Sequence, residues 1–162
     1  MVILVLDFDK TITDIHSQGT PDVQIFLWNE MKNYHRLILC LDFIHKKNCK
    51  IYVVSRSNKK ALEKYLRAFS LTFFISGIYG ADEINPITFP SESVDKAVLR
   101  WSTLKVKFIE KITTELGIGK NDVYFVDDTR QNIEYALNSG FTNSILCENG
   151  SIGLCKILSE KF

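Results

Sequence analysis

The sequence has no long hydrophobic run. Its longest uninterrupted one, Met1 to Leu6, is ended by Asp7 and Asp9, far short of the roughly 20 apolar residues a membrane-spanning helix needs. The basic flank of a signal peptide is missing too, so a soluble chain with no membrane partner is expected. Nor is there an excess of one charge: 20 lysines and arginines face 19 aspartates and glutamates, a formal net charge of +1. No global field then favours a polynucleotide or an anionic membrane. Cysteine is sparse: Cys40, Cys49, Cys147 and Cys155 form no C-x-x-C pair and lie scattered through apolar stretches. That spacing argues against a zinc site or a disulfide framework. Reduced, buried thiols in a cytoplasmic or other reducing compartment are expected instead. Internal repeats, low-complexity tracts and interdomain linkers are absent. With 162 residues, 46% of them hydrophobic, the chain suits one compact domain over residues 1–162.

What the sequence does have is alternation. Val2–Leu6 is a continuous apolar run, the pattern of a strand buried on both faces. Ile51–Val54, Thr72–Ile75, Val123–Val126 and Asn143–Cys147 repeat it. Helical spacing appears between them: Leu62, Tyr65, Leu66 and Phe69 within Lys59–Phe69, then Phe108, Ile109, Ile112 and Leu116 ahead of Gly117. Ile133, Tyr135, Ala136 and Leu137 precede Gly140 in a third such segment. Leu37–Ile44 is apolar nearly all round, but two parallel strands need a crossover there, which predicts a helix. Strands alternating with helices predict an α/β fold on a mostly parallel sheet. Ser76–Asp95, with two glycines and two prolines, reads as a surface connection.

Open parallel sheets bind ligands at the carboxyl ends of their strands. Here the first strand ends in Asp7-Phe8-Asp9-Lys10-Thr11, the second in Ser55-Arg56 and the fourth in Asp127-Asp128. A lysine-bearing helix start, Lys105-Val106-Lys107-Phe108, comes just before that fourth strand. Carboxylates, a hydroxyl and an ammonium on one edge suit a phosphate ester together with a hard cation, because carboxylates alone would repel a phosphate dianion. A carboxylate can then attack phosphorus in line and form an aspartyl-phosphate. Metal, lysine and hydroxyl compensate the transferring oxygens. Each residue alone says little: D-x-D often ends a strand in a turn, serine or aspartate often caps a helix, and one lysine is usually a solvated charge. Their order and their strand-end positions carry the reading.

At all four of its motifs and in their order, from Val2 to about Gly140, the chain resembles the haloacid dehalogenase superfamily. Asp7-x-Asp9-x-Thr11 is similar to the two-aspartate first motif of its phosphatases. The resemblance implies a Rossmann-like three-layer sandwich with a mostly parallel five-stranded sheet, and Mg²⁺ as cofactor. By it, Asp7 is the nucleophile and a metal ligand. Asp9 protonates the leaving group, then activates water, and its backbone carbonyl reaches the metal. Ser55 and a third-motif lysine hold the phosphate. Asp128 binds the metal directly, with Asp127 helping directly or through water. For the lysine, Lys105 is preferred to Lys107, since Phe108 and Ile109 open the apolar face about one turn beyond it.

Other residues are weaker candidates. Thr11 and Arg56 are further candidates for substrate binding, with loop structure and a solvated charge as their alternatives. Arg130 reads in the same way as Arg56. His16 reads as an exposed loop histidine near a flap around Thr13–Asp22, Asn132 as shaping the loop after Asp128, and Trp28 and Trp101 as packing residues. The intervals between motifs are too short for a large cap domain, so an open site is expected. Capless relatives commonly act on macromolecules. Val126-Asp127-Asp128-Thr129-Arg130-Gln131-Asn132 looks like the fourth motif of small magnesium-dependent protein phosphatases. The expected substrate is therefore a phosphorylated protein, phosphotyrosine foremost. Polynucleotide 3′-phosphate ends, disfavoured by the neutral charge, and small metabolites are the alternatives. A non-catalytic phosphate-binding module is the alternative from another class.

Overall fold

The computed structural model describes residues 1–14, 16, 33–84 and 93–162. Five strands, β1 (Ile3–Leu6), β2 (Lys50–Val54), β3 (Ile75–Tyr79), β4 (Val123–Asp127) and β5 (Asn143–Leu146), form one sheet in the order β3-β2-β1-β4-β5. Every pairing is parallel. The helices are α1 (Tyr34–Lys46), α2 (Lys59–Ala68), α3 (Ala81–Ile84), α4 (Val94–Leu116), α5 (Arg130–Asn138) and α6 (Gly150–Lys161).

Successive strand residues point to opposite faces, and both faces are covered. Leu4, Leu6, Ile51, Val53 and Val126 pack with Leu37 and Leu41 of α1, Leu62 and Leu66 of α2, and Leu154 and Leu158 of α6. On the other face, Ile3, Val5, Tyr52, Val54, Val123 and Phe125 meet Val106, Ile109 and Ile112 of α4 and Ile133 and Ala136 of α5. Burial on both faces is why the strands read as unbroken apolar runs rather than as alternating ones. Each such Leu or Ile side chain taken fully from water stabilises by roughly 1.5–3 kcal/mol. The result is the three-layer, Rossmann-like sandwich expected from the sequence.

Three expectations need correction. The third strand is Ile75–Tyr79, and Thr72–Phe74 is a 3₁₀ turn leading into it. Ser76 to Tyr79 therefore belongs to the sheet rather than to a surface loop. Gly77 faces Tyr52 across the β2–β3 pairing, and a Cβ there would lie 2.9 Å from the Tyr52 ring. The glycine makes room for that ring and does not signal a turn. Second, the lysines do not open a helix, since Lys105 lies in the middle of the 23-residue α4. Third, α6 was not anticipated. Its entry, Asn149-Gly150, has φ of +68° and +58°, and a Cβ on Gly150 would lie 2.6 Å from Asp14 Oδ1. Asp14 in turn accepts from Ser151 N–H at 2.9 Å and from Ser151 Oγ at 2.8 Å, so α6 is capped by the loop that follows β1.

All four cysteines are free thiols. Burial pushes the Cys49 thiol up to about 11 and those of Cys147 and Cys155 up to about 12, which keeps them protonated and unreactive. No described helix is long and apolar enough to cross a membrane, and among the described residues there is no cap domain. Residues 17–22 of the expected flap, and Trp28, lie outside the described residues. Strand order reverses at β1, between β2 and β4. At such a switch point the connections diverge and leave a crevice beyond the carboxyl ends of the strands.

Candidate active site

The sheet itself positions the residues at that crevice. Asp7 follows β1 directly, and its N–H donates to the Val126 carbonyl at 2.9 Å. Ser55 follows β2 and donates to the Tyr79 carbonyl at 3.0 Å. The parallel ladder thus runs one residue past the strands into both polar positions. Beyond Asp7 the chain turns tightly. The Phe8 carbonyl accepts from the N–H groups of Ile12 at 3.0 Å and Thr13 at 3.1 Å, and Lys10 takes φ of +56° to close the turn. The Phe8 side chain is fully buried and anchors the turn in the core.

Lys105 reaches this edge from α4. Its Nζ donates to Asp7 Oδ1 at 2.7 Å and to Asp127 Oδ2 at 2.6 Å, with the lysine side chain 1% exposed. Lys107 is exposed to solvent, so of the two lysines only Lys105 enters the site. Both oxygens of Asp127 are engaged: Asn132 Nδ2 donates to them at 2.9 and 3.0 Å, and Thr129 N–H donates to Oδ1 at 2.8 Å. Ser102 Oγ holds the Asn132 amide from α4 at 2.7 Å. Asn132, read as a loop-shaping residue, thus orients the carboxylate that fixes Lys105. Ser102 gave no signal in sequence, because a lone serine in a helix carries none.

Burial first, and then a shortage of positive charge, set the electrostatics of the site. Burial raises the Asp7 carboxyl from 3.8 to about 7; Lys105 opposes this, and the like charges of Asp127 and Asp128 add to it. Burial, with Asp127 beside it, also lifts half-buried Asp128 above the ordinary carboxylate range. Lys105 is held above the usual lysine value: burial works against its charge, but Asp127 and Asp7 outweigh that. One ammonium therefore faces three carboxylates, whose oxygens lie within 4.8 Å of one another. With Asp127 engaged elsewhere, Asp7 and Asp128 are the carboxylates left to face the crevice. An all-oxygen, net-negative donor set fits a hard divalent cation and not the nitrogen and sulfur ligation typical of zinc.

Asp7, Asp9, Ser55, Lys105 and Asp128 all line one open cleft of about 530 Å³. Asp9 Oδ2 accepts from Ser57 Oγ at 3.1 Å and lies 3.9 Å from His16 Nδ1. His16, read as an exposed loop histidine, is 56% exposed and is also a neighbour of Asp9. Ser57 carries no signal of its own in the Ser-Arg-Ser-Asn run, in which both serines and the asparagine are helix-cap candidates; Asn58 is the cap, accepting from Lys60 N–H at 3.0 Å. Arg56 lines the cleft, with its guanidinium 5.4 Å from the Trp101 ring centroid. Thr11 does not join it. Its side chain is fully buried, and among the described residues its hydroxyl has no hydrogen-bond partner, which leaves it a part of the turn.

No model of a known protein family matches this sequence, and no curated protein matches it. Solved structures do. A candidate β-phosphoglucomutase from Thermotoga maritima superposes with a TM-score of 0.63 at 10% identity, covering 100% of both chains. 3-Deoxy-D-manno-octulosonate 8-phosphate phosphatase from Moraxella catarrhalis, solved in complex with a magnesium ion, a phosphate ion and a KDO molecule, gives 0.59 at 12% identity over 99% of this chain and 84% of that one. A haloacid dehalogenase-superfamily hydrolase from Ehrlichia chaffeensis gives 0.57 at 14% identity over 98% and 96%. Identities this low speak for shared architecture, and they agree with the resemblance read from the four motifs: this chain has the haloacid dehalogenase fold, with its acidic cluster at the switch point of the sheet.

Proposed function

We infer that the chain is a Mg²⁺-dependent phosphomonoesterase, a single domain over residues 1–162, that works through an aspartyl-phosphate at Asp7. The observation that carries this reading is Lys105 Nζ set between Asp7 at 2.7 Å and Asp127 at 2.6 Å, with Ser55 and Asp128 lining the same cleft. An ammonium has three donors. Two are spent on carboxylates, and the third is left for a phosphate oxygen beside the Ser55 hydroxyl. Asp7 attacks phosphorus with its other oxygen. Asp9, steadied by Ser57, gives a proton to the leaving oxygen and then takes one from the water that hydrolyses the acyl phosphate. Asp7, the Asp9 carbonyl and Asp128 would hold Mg²⁺, with Asp127 beside them. When bound, the ion supplies the neutralising charge that lets a phosphate dianion approach this acidic edge.

An open cleft with no lid among the described residues favours a phosphate presented on a protein side chain, phosphotyrosine foremost. The fold's likeness to a phosphatase solved with magnesium and phosphate favours a second reading, a phosphorylated small molecule. The net charge of +1 speaks against a polynucleotide end.

With 4-nitrophenyl phosphate, the purified protein is expected to release phosphate in the presence of Mg²⁺ and to stop in excess chelator. Undiminished release in chelator would overturn the metal dependence. No release under either condition, with phosphopeptide still bound, would favour a non-catalytic binding module.

A further inference from the structure

One cation at the cleft plays no part in the mechanism just described. Arg56 follows Ser55 immediately, is exposed, and lines the cleft that holds Asp7, Ser55 and Lys105. Among the described residues no carboxylate lies within 4.0 Å of its guanidinium, whereas Lys105, Lys59 and Lys120 all have such partners. It therefore makes no ion pair with Asp7, Asp9 or Asp128, although it shares their cleft. What it does contact is the Trp101 ring on α4, at 5.4 Å to the centroid. The same indole also meets the Arg100 guanidinium at 5.6 Å. A guanidinium stacked on an indole keeps its planar fork of donors available while losing much of its conformational freedom. Such a fork recognises carboxylate or phosphate through paired hydrogen bonds.

The geometry points to Arg56, positioned by Trp101, as the receptor for a second anionic group on the substrate. The preferred esters then carry a carboxylate or further phosphate close to the reacting phosphate. This rests on the phosphomonoesterase reading above and adds a substrate preference to it. The reacting phosphate is gripped by Ser55 and Lys105 from β2 and α4. Arg56 lies one residue further out and is drawn towards Trp101, at the rim where the rest of the substrate emerges. The second anion has two sources: it belongs to the phosphorylated small molecule itself, or to an acidic residue beside a phosphorylated one.

Two matched pairs of substrates, assayed with Mg²⁺, test this. One is 3-phosphoglycerate against glycerol 3-phosphate, which differ by the carboxylate. The other is a pair of phosphotyrosine peptides with glutamate or glutamine next to the phosphotyrosine. The parent protein is expected to favour the acidic member of at least one pair in kcat/KM by roughly tenfold to a hundredfold, the scale of a charge-assisted hydrogen-bonded pair. Arg56→Gln brings that ratio towards one. Trp101→Leu lowers it and Trp101→Phe, which keeps a ring, retains most of it. Preference confined to the first pair assigns the anion to a small substrate, and preference confined to the second assigns it to a peptide. Equal loss on both members of a pair in Arg56→Gln would mean that Arg56 grips the reacting phosphate, and overturns the inference. A parent ratio near one in both pairs overturns it as well, while leaving the phosphatase reading intact. Failure to hydrolyse these four substrates and 4-nitrophenyl phosphate alike would instead remove the phosphatase reading, and this inference with it.

Discussion

Asp7→Asn is expected to lower phosphate release by roughly a thousandfold or more, and yet to make the metal-free protein more stable at pH 8. The first effect follows from removing the nucleophile. The second follows from the environment of Asp7, a buried carboxylate raised from 3.8 to about 7. Because the folded protein holds this proton more tightly than the unfolded chain does, the group's contribution is fully present below about pH 4 and is lost as pH rises through about 7. Above that, ionised Asp7 costs stability, up to a few kcal/mol, and an asparagine of the same shape does not. In chelator, the melting temperature of Asp7→Asn should therefore exceed that of the parent at pH 8, and the gap should narrow towards pH 5. Adding Mg²⁺ should close it by stabilising the parent. A residue that weakens the fold while sitting at its functional edge is the usual trade of stability against activity. Near-parental turnover in Asp7→Asn would contradict the assignment, and an unchanged gap from pH 5 to pH 8 would contradict the electrostatics.

Lys105→Met is expected to do the opposite to stability. Its ammonium is 1% exposed and is the partner of two carboxylates, at 2.7 and 2.6 Å. Removing one member of a buried charged cluster leaves the rest uncompensated, at a cost of about 3–5 kcal/mol. For a chain of this length that corresponds to a fall of roughly 10 °C or more in melting temperature. The loss should be larger at pH 8 than at pH 5, since Asp7 takes up a proton at the lower pH and relieves part of the repulsion. Lys107→Met, at an exposed position on the same helix, should change stability by less than about 0.5 kcal/mol. Urea and thermal unfolding of the two variants at both pH values measure these effects. Equal effects at 105 and 107 would contradict the placement of Lys105.

Much of this site was legible in the sequence because strand ends are legible. β1, β2 and β4 are buried on both faces, so each reads as an apolar run, and the first polar residue after the run marks the carboxyl edge. That rule finds Asp7, Ser55 and Asp127-Asp128 without coordinates. It fails where a strand contains a glycine for packing reasons, as β3 does at Gly77 against Tyr52. It also fails where a helix is long and mixed, as α4 is between Val94 and Lys105. The residues that hold the reactive groups were the least legible. Ser57, on Asp9, and Ser102, on Asn132, act through hydrogen bonds between elements distant in sequence, and no period or spacing announces such contacts. Thr11 shows the converse: it stands within a reactive motif but is buried in the turn that supports it.

The central claim is that Asp7 becomes phosphorylated during turnover. Incubation with 4-nitrophenyl phosphate and Mg²⁺, rapid quenching with borohydride, and mass spectrometry of the peptide holding Asp7 test this directly. An acyl phosphate there is reduced to homoserine, so the account predicts homoserine at position 7 that depends on both substrate and Mg²⁺ and is absent from Asp7→Asn. Phosphate release at full rate with Asp7 recovered intact, or with the label on another residue, would contradict it.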